Sequence, residues 1–284
     1  MTGSPDRPVT IADVLARTTG YLEGKGVESP RLDAELILSH ALGLGRVELY
    51  QHHDRPLTEE ELATARPLVE RRGRREPLAY VLGEWGFRRL TLSVDSNVLV
   101  PRPETEIVVE RCLALLEGIE APSVLDIGTG SGAIALSIAA EHPGARVTAT
   151  DISEGALAVA RRNAERCGLA DRVELRLGHL TAHVGGTFDL VVSNPPYVPA
   201  ESWDALQPEI RLYEPREAVV GSGQTAAVAR RALPLLAPGG WIVLEVGDGQ
   251  AQDIADELGS LGYAAVRISP DLAGRERVVE GRWA

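Results

Sequence analysis

Four consecutive residues, Asn194-Pro195-Pro196-Tyr197, gather groups that could do chemistry at one point of the chain. They close an apolar run, Phe188-Asp189-Leu190-Val191-Val192-Ser193, that reads as a buried strand. Prolines have no N–H to give to a ladder, so the strand must stop there. In an open α/β sheet the carboxyl ends of strands are where ligands bind. There the Asn194 side chain and the backbone carbonyls beside it would project. A carboxamide oxygen and a proline carbonyl are both acceptors, and together they can hold the two hydrogens of a planar NH2 group. Tyr197 can cover the face of that group. The pattern suits methylation of an amide or an exocyclic amine. The competing reading is a proline-rich turn with Asn as a turn former.

A second constellation lies upstream. Ser123-Val124-Leu125-Asp126-Ile127 is a short apolar run followed at once by Gly128-Thr129-Gly130-Ser131-Gly132, and Ala133 to Ala140 has helix composition. Strand, glycine turn and helix is a nucleotide-cofactor pattern: glycines let backbone approach a ligand, and the helix N-terminus adds a positive dipole end. A further strand, Ala145 to Thr150, ends in Asp151, which can bind both hydroxyls of a ribose. Glycine loop and acid fit NAD as well as S-adenosylmethionine. The loop lacks the spaced G-x-G-x-x-G form, however, with Ala133 at its sixth position. Acidic strand ends at Asp126 and Asp151 also suit a cationic sulfonium better than a pyrophosphate.

With these residues in view, the chain resembles the HemK/PrmC family of peptide-chain release factor N5-glutamine methyltransferases over nearly its whole length. The resemblance is carried by Asn194-Pro195-Pro196-Tyr197, by Asp126 to Gly132, and by Val100-Pro101-Arg102-Pro103-Glu104-Thr105-Glu106. The last is the most family-specific, and Glu214-Pro215-Arg216-Glu217-Ala218 is similar too. It implies an α/β fold: a Rossmann-like seven-stranded class I methyltransferase domain, preceded by a small helical bundle and a β-hairpin linker. It implies transfer of a methyl group from S-adenosylmethionine to the glutamine amide of the Gly-Gly-Gln motif of release factors, in translation termination. Asn194, Pro195 and Tyr197 would be catalytic, and Pro196 would join them in binding the substrate. Gly128, Thr129, Gly130, Ser131, Gly132, Asp151, Ile152, His179, Leu180 and Asn194 would hold the cofactor. Two departures stand out. The family's Asp after the third strand of the domain is replaced by Gly178-His179-Leu180, and its Gly-Gly-x-Asp-Gly stretch by Gly221-Ser222-Gly223-Gln224-Thr225.

The elements that must position these groups fall into two parts. Residues 1–84 read as helical. Thr10 caps a helix over Ile11 to Leu22, Ser29-Pro30 opens another that closes at Gly43, and Thr58-Glu59-Glu60-Glu61 is a capping box for a third reaching Arg72. Pro77 starts a short turn of helix through Leu82. Helices this short must pack as a bundle. Nothing in this part looks catalytic, and the resemblance gives it recognition of the release factor. Residues 85–100 alternate over Trp85 to Val94 and predict a hairpin linker. Residues 101–284 form the methyltransferase domain, in which Pro103 is placed as a first helical residue ahead of Ile107 to Leu116. Seven strands alternating with helices argue a mostly parallel sheet with an antiparallel pair at its C-terminal edge.

Composition narrows the function classes. The net charge is −12; residues 1–100 hold 13 basic and 15 acidic side chains, a net of −2, so −10 lies beyond them. That disfavours free nucleic acid, whose phosphates need a basic footprint, and leaves room for a basic protein partner. It also argues against the nearest rival, an adenine N6 methyltransferase sharing the Asn-Pro-Pro-Tyr chemistry. A cofactor-binding module without catalysis is the other rival, and the intact loop argues against it. Arg71-Arg72-Gly73-Arg74-Arg75 reads as a solvated helix face. Cys112 and Cys167 read as small core residues, and no metal spacing of Cys and His occurs. No apolar run reaches about 18 residues and Met1 to Thr10 is polar, so neither membrane span nor signal segment is expected. The expectation is a cytoplasmic protein.

Overall fold

A computed structural model describes residues 8–284. The stretch 1–7, read above as lacking a signal segment, lies outside the described residues. The chain folds into two compact units: one runs to Gly83 and includes Pro208–Tyr213, the other comprises Glu84–Gln207 and Glu214–Ala284.

The first unit holds helices α1 (Ile11–Gly24), α2 (Pro30–Leu42), α3 (Arg46–Gln51), α4 (Glu59–Gly73) and α5 (Leu78–Leu82). Thr10 and Thr58 each cap their helix as the sequence predicts, the hydroxyls accepting from the Asp13 and Glu61 N–H groups. Leu22, Val27, Ala34, Ile37 and Val81 form one buried cluster, and Ile11, Leu38 and Leu49 another. The short α3 was not predicted. It starts where the Glu48 carboxylate accepts the Gly45 N–H at 2.6 Å, a local bond that a six-residue helix needs because it has little propagation to lean on.

The second unit opens with the predicted hairpin, β1 (Glu84–Phe87) paired antiparallel with β2 (Leu90–Ser93). It groups with this unit. Then come α6 (Thr105–Leu115), β3 (Ser123–Ile127), α7 (Ala133–Glu141), β4 (Arg146–Asp151), α8 (Glu154–Arg166), β5 (Val173–Leu177) and β6 (Phe188–Ser193). Next is α9 (Pro208–Tyr213), which belongs to the first unit. The order continues with α10 (Arg216–Val219), α11 (Gln224–Ala232), β7 (Leu236–Glu245), α12 (Ala251–Ser260), β8 (Ala264–Pro270) and β9 (Glu276–Arg282). Helix α6 begins at Thr105 and not at Pro103, because Pro103 and Glu104 form a turn before it.

The seven-stranded sheet has the order β5-β4-β3-β6-β7-β9-β8. Strands β3 to β7 are parallel, and β9 runs antiparallel between β7 and β8. Side chains alternate between two cores as strand geometry requires. Val124, Leu190, Val192 and Val243 face the cluster built with α6 and α7, whereas Leu125, Ile127, Val191, Ile242 and Leu244 face the one built with α11 and α12. The sheet is therefore covered on both sides, which suits its nearly continuous apolar strands.

The arginine cluster is not a solvated face. Arg72 is buried; its Nε donates to Asp33 Oδ2 at 2.6 Å and its Nη1 to Glu209 Oε1 at 2.9 Å. Arg75 grips Glu209 through two bonds of 2.7 Å, and Arg71 pairs with Glu76 and the Tyr80 and Val81 carbonyls. Arg74 alone of the four has a mostly exposed side chain. Burial raises the Asp33 carboxyl, while Glu209, though also penalised by burial, is held below the usual range by Arg75 and Arg72. Cys112 is buried and both cysteines are free.

Candidate active site

The parallel register lines up the carboxyl ends of four strands. Ile127 sits opposite both Thr150 and Ser193, and Asp151 opposite Leu177. The residues just beyond are Gly128, Asp151, Gly178 and Asn194, and all four line one cavity of about 370 Å³. The chain order reverses between β3 and β6, the crevice in which open α/β sheets take their ligands.

On one side the cavity is backbone. Gly128 and Gly130 stand at φ of 77° and 56°, and a Cβ on either would meet no atom within 4 Å. They leave bare backbone facing open space, as a close-fitting cofactor needs. The turn is fixed from below: Gly128 and Thr129 donate N–H groups to the Thr150 carbonyl, and Gly130 donates to Asp151 Oδ2 at 2.9 Å. Ser153 N–H occupies Asp151 Oδ1 at 2.9 Å. Each carboxylate oxygen thus spends one bond on positioning and keeps acceptor capacity for a ligand hydroxyl. Ile152, His179 and Leu180 also line the cavity, and the exposed Ile152 offers an apolar surface for a flat ring. Thr129 hydroxyl donates to Asp126 Oδ2 at 2.7 Å, while burial pushes the Asp126 carboxyl up to about 7. This lining fits S-adenosylmethionine.

Gly132 does not line the cavity. It faces α7 instead, where a Cβ would come within 2.9 Å of Leu136 Cδ1.

Asn194, Pro195 and Pro196 form the opposite wall. Ser193 hydroxyl donates to the Ile127 carbonyl at 2.7 Å, tying this strand end to the glycine loop. Asn194 Nδ2 donates to Thr105 Oγ1 at 3.1 Å, and Thr105 donates to Glu245 Oε2 at 2.7 Å. Tyr197 hydroxyl donates to Glu245 Oε1 at 3.3 Å, and Gln250 Nε2 donates to the Tyr197 carbonyl. Tyr197 is outside the cavity lining, its phenol raised by burial and by the nearby Glu245. Burial pushes the Glu245 carboxyl up to about 7, against the bonds from Thr105 and Tyr197.

Several residues here were not picked out from the sequence. Asn163, fully buried in α8, exchanges two bonds with the Ser93 backbone and donates Nδ2 to the Ser131 carbonyl at 2.9 Å, bracing the glycine loop. Arg102 Nη2 donates to Glu214 Oε1 at 2.6 Å, joining the two further motifs, and Arg102, Thr105, Glu217 and Ala218 line the cavity. Val98 and Gln224 do so too. The signal for Thr105 and Glu214 was their place in recognisable motifs; Asn163 and Glu245 left none, because their partners lie 70 and 140 residues away.

Sheet order and glycine loop together place the second unit among the class I methyltransferases that use S-adenosylmethionine. The catalytic domain of hMettl16, solved in complex with MAT2A 3'UTR hairpin 6, shares that fold with a TM-score of 0.54 and 16% identity, over 68% of this chain and 76% of that one. Residues 13–83 match the family described as PrmC N-terminal domain, and residues 106–237 match the methyltransferase small domain. The release factor glutamine methyltransferase of Geobacter sulfurreducens is 47% identical over 278 residues, covering 96% of each chain. That of Chlorobaculum tepidum is 42% identical over 281 residues, covering 94% of this chain and 95% of the relative. This chain belongs to the release factor glutamine methyltransferase family.

Proposed function

We propose that the protein transfers a methyl group from S-adenosylmethionine to the side-chain amide nitrogen, N5, of the glutamine in the Gly-Gly-Gln motif of peptide-chain release factors. The observation that carries this reading is the shared cavity: Asn194, Pro195 and Pro196 line it together with Gly128 to Ser131 and Asp151. Family membership over nearly the full length supports the choice of substrate.

The cofactor, when bound, supplies an electrophilic methyl group on a sulfonium. Gly128, Thr129, Gly130 and Ser131 would cradle it, Asp151 would take its ribose hydroxyls, and Ile152, His179 and Leu180 would flank its base. An amide nitrogen is a poor nucleophile because its lone pair is delocalised into the carbonyl. No strong base is required, since the methylated amide can lose its proton after the new bond has formed. Catalysis then rests on orientation and electrostatics. Asn194 Oδ1 and the Pro195 carbonyl would accept the two amide hydrogens, which aims the nitrogen and raises its electron density. Pro196 keeps the loop rigid. Tyr197 would close over the amide plane, and for that its ring must turn from the place where Glu245 holds it.

The helical unit is assigned recognition of the release factor and residues 101–284 the chemistry. The acidic second unit supports a protein substrate over free nucleic acid. Among the described residues no helix is long and apolar enough to cross a membrane, and action on release factors would place the protein in the cytoplasm. The test is mass spectrometry of a release factor incubated with enzyme and cofactor. One added methyl on the glutamine of its Gly-Gly-Gln peptide is expected; methyl on any other residue, or none, would overturn the assignment.

A further inference from the structure

The Asn194 loop leans on a buried relay that the transfer reaction, as stated above, does not use. Thr105 is the first residue of α6 and Glu245 the last of β7, and their side chains meet behind Asn194. Both are buried, Glu245 at 1% exposure. A hydroxyl has one proton. Thr105 gives its proton to a carboxylate oxygen 2.7 Å away, so towards Asn194 it offers lone pairs only. The Asn194 carboxamide can meet those lone pairs only with its NH2, as it does at 3.1 Å. Its oxygen is thereby committed to the other side.

We infer that Glu245, acting through Thr105, sets the polarity of Asn194, so that the carboxamide presents an acceptor and not a donor to the substrate NH2. Both are positioning residues, each acting through Asn194: Thr105 from the cavity wall and Glu245 from outside the lining. The same carboxylate accepts from the Tyr197 hydroxyl with its other oxygen, a bond that Tyr197 would release on closing over the amide.

The relay has a built-in reversal. If Glu245 takes a proton on Oε2, the acid donates to Thr105, and Thr105 can donate onward to Asn194. The carboxamide then turns over and meets a substrate NH2 with its own NH2, a donor facing a donor. The groups facing Glu245 are Thr105 and Glu104 beside α6, Tyr197 after β6 and Arg277 on β9. Burial most of all, and Glu104, favour the acid; Thr105, Tyr197 and Arg277 favour the carboxylate. Turnover should therefore rise with pH as Glu245 ionises, near neutrality, even though the substrate amide itself does not titrate.

The inference rests on the proposed transfer to an amide, so the experiment has one arm on activity and one that needs no turnover. In the first, kcat for release factor methylation is followed from about pH 6 to about pH 9 at saturating cofactor, where it reports groups in the bound complex. Thr105→Val should lower kcat at least about tenfold at all pH values while the calorimetric dissociation constant for S-adenosylmethionine stays within about twofold, and Thr105→Ser should restore most of the loss. Glu245→Gln, which cannot gain a proton, should lose the acid limb. In the second arm, the side-chain NH2 resonances of Asn194 are titrated by NMR. They should shift with the ionisation of Glu245 in the wild type and stay still in Glu245→Gln and Thr105→Val. An acid limb and a resonance shift both unchanged in Glu245→Gln would overturn the inference, as would wild-type kcat in Thr105→Val. Cofactor binding lost alike in the Val and Ser variants would also overturn it, since that marks a structural role. Failure of the wild type to methylate any release factor would instead strike the proposed function, and the NMR arm would still decide the relay.

Discussion

At the scale of single residues, Asn194 and Asp151 line the same cavity, and the proposed reaction gives them different partners. Asn194 donates one bond to Thr105 and lines the cavity, where on the proposed reading it would receive the amide to be methylated. Replacing it with Ala removes an orienting contact worth about 3 kcal/mol in the transition state, roughly a hundredfold in kcat. Cofactor affinity should weaken only modestly, because the neighbouring wall is backbone. Steady-state rates at saturating cofactor check this, and near-normal turnover would remove Asn194 from the chemistry. Asp151 is proposed to hold the cofactor. Its two oxygens are already aimed by the Gly130 and Ser153 N–H groups. Asp151→Ala should raise the dissociation constant for S-adenosylmethionine at least about tenfold, through loss of charge-assisted hydrogen bonds and of the anchor for the Gly130 turn. Calorimetry showing unchanged affinity would contradict the assignment.

At the scale of elements, the site depends on how closely its loops approach each other. Gly221 is the clearest case: a Cβ there would fall 2.5 Å from the Pro196 carbonyl oxygen, a backbone atom that cannot step aside alone. The Gly221 N–H also donates to the Val198 carbonyl. Gly221→Ala should push the Asn194 loop off its position while leaving the sheet intact. A displacement near 1 Å is enough to cost about a hundredfold in rate. The expected result is a fall in kcat with unchanged circular dichroism, and unchanged kcat would show that the loop tolerates the shift. Much of this layout was legible in the sequence. Glycine turns, acidic strand ends and paired prolines are local signals, so the strands and the loops that follow them are found where the sequence predicts. What escaped was non-local. Pairing across the sheet decides that β9 lies between β7 and β8, and no local pattern encodes that. The Arg71 to Arg75 run reads as a solvated face because its partners Asp33 and Glu209 lie far away in sequence. Pro103 is a favourable first helical residue, yet the helix starts two residues later, where the Thr105 side chain turns inward to Glu245.

At the scale of the whole molecule, one acidic residue shows that the two units are not two consecutive stretches of chain. Glu209 sits on the segment Pro208–Tyr213, between the Asn194 loop and the Glu214 motif in sequence, yet it belongs to the helical unit. There it accepts from both Arg72 and Arg75. Glu209→Ala leaves Arg72 with Asp33 but strips a partner from a buried guanidinium, which costs about 1–3 kcal/mol. Urea unfolding followed by circular dichroism should show that loss, and a midpoint equal to the wild type would mean that water replaces the carboxylate at no cost. The charge of the molecule points the same way as its site. Most of the excess acid lies beyond residue 100, a charge that under the proposed function would disfavour phosphate backbones and suit a basic protein surface.

Transfer to a release factor glutamine can be read out in one radiolabel comparison. Enzyme and S-adenosylmethionine carrying a labelled methyl group are incubated in parallel with a release factor, with the same factor bearing Gln-to-Ala in its Gly-Gly-Gln motif, and with DNA. Label should enter the intact release factor alone. Equal labelling of the Ala form, or label in DNA, would show that the Gly-Gly-Gln glutamine is not the methyl acceptor.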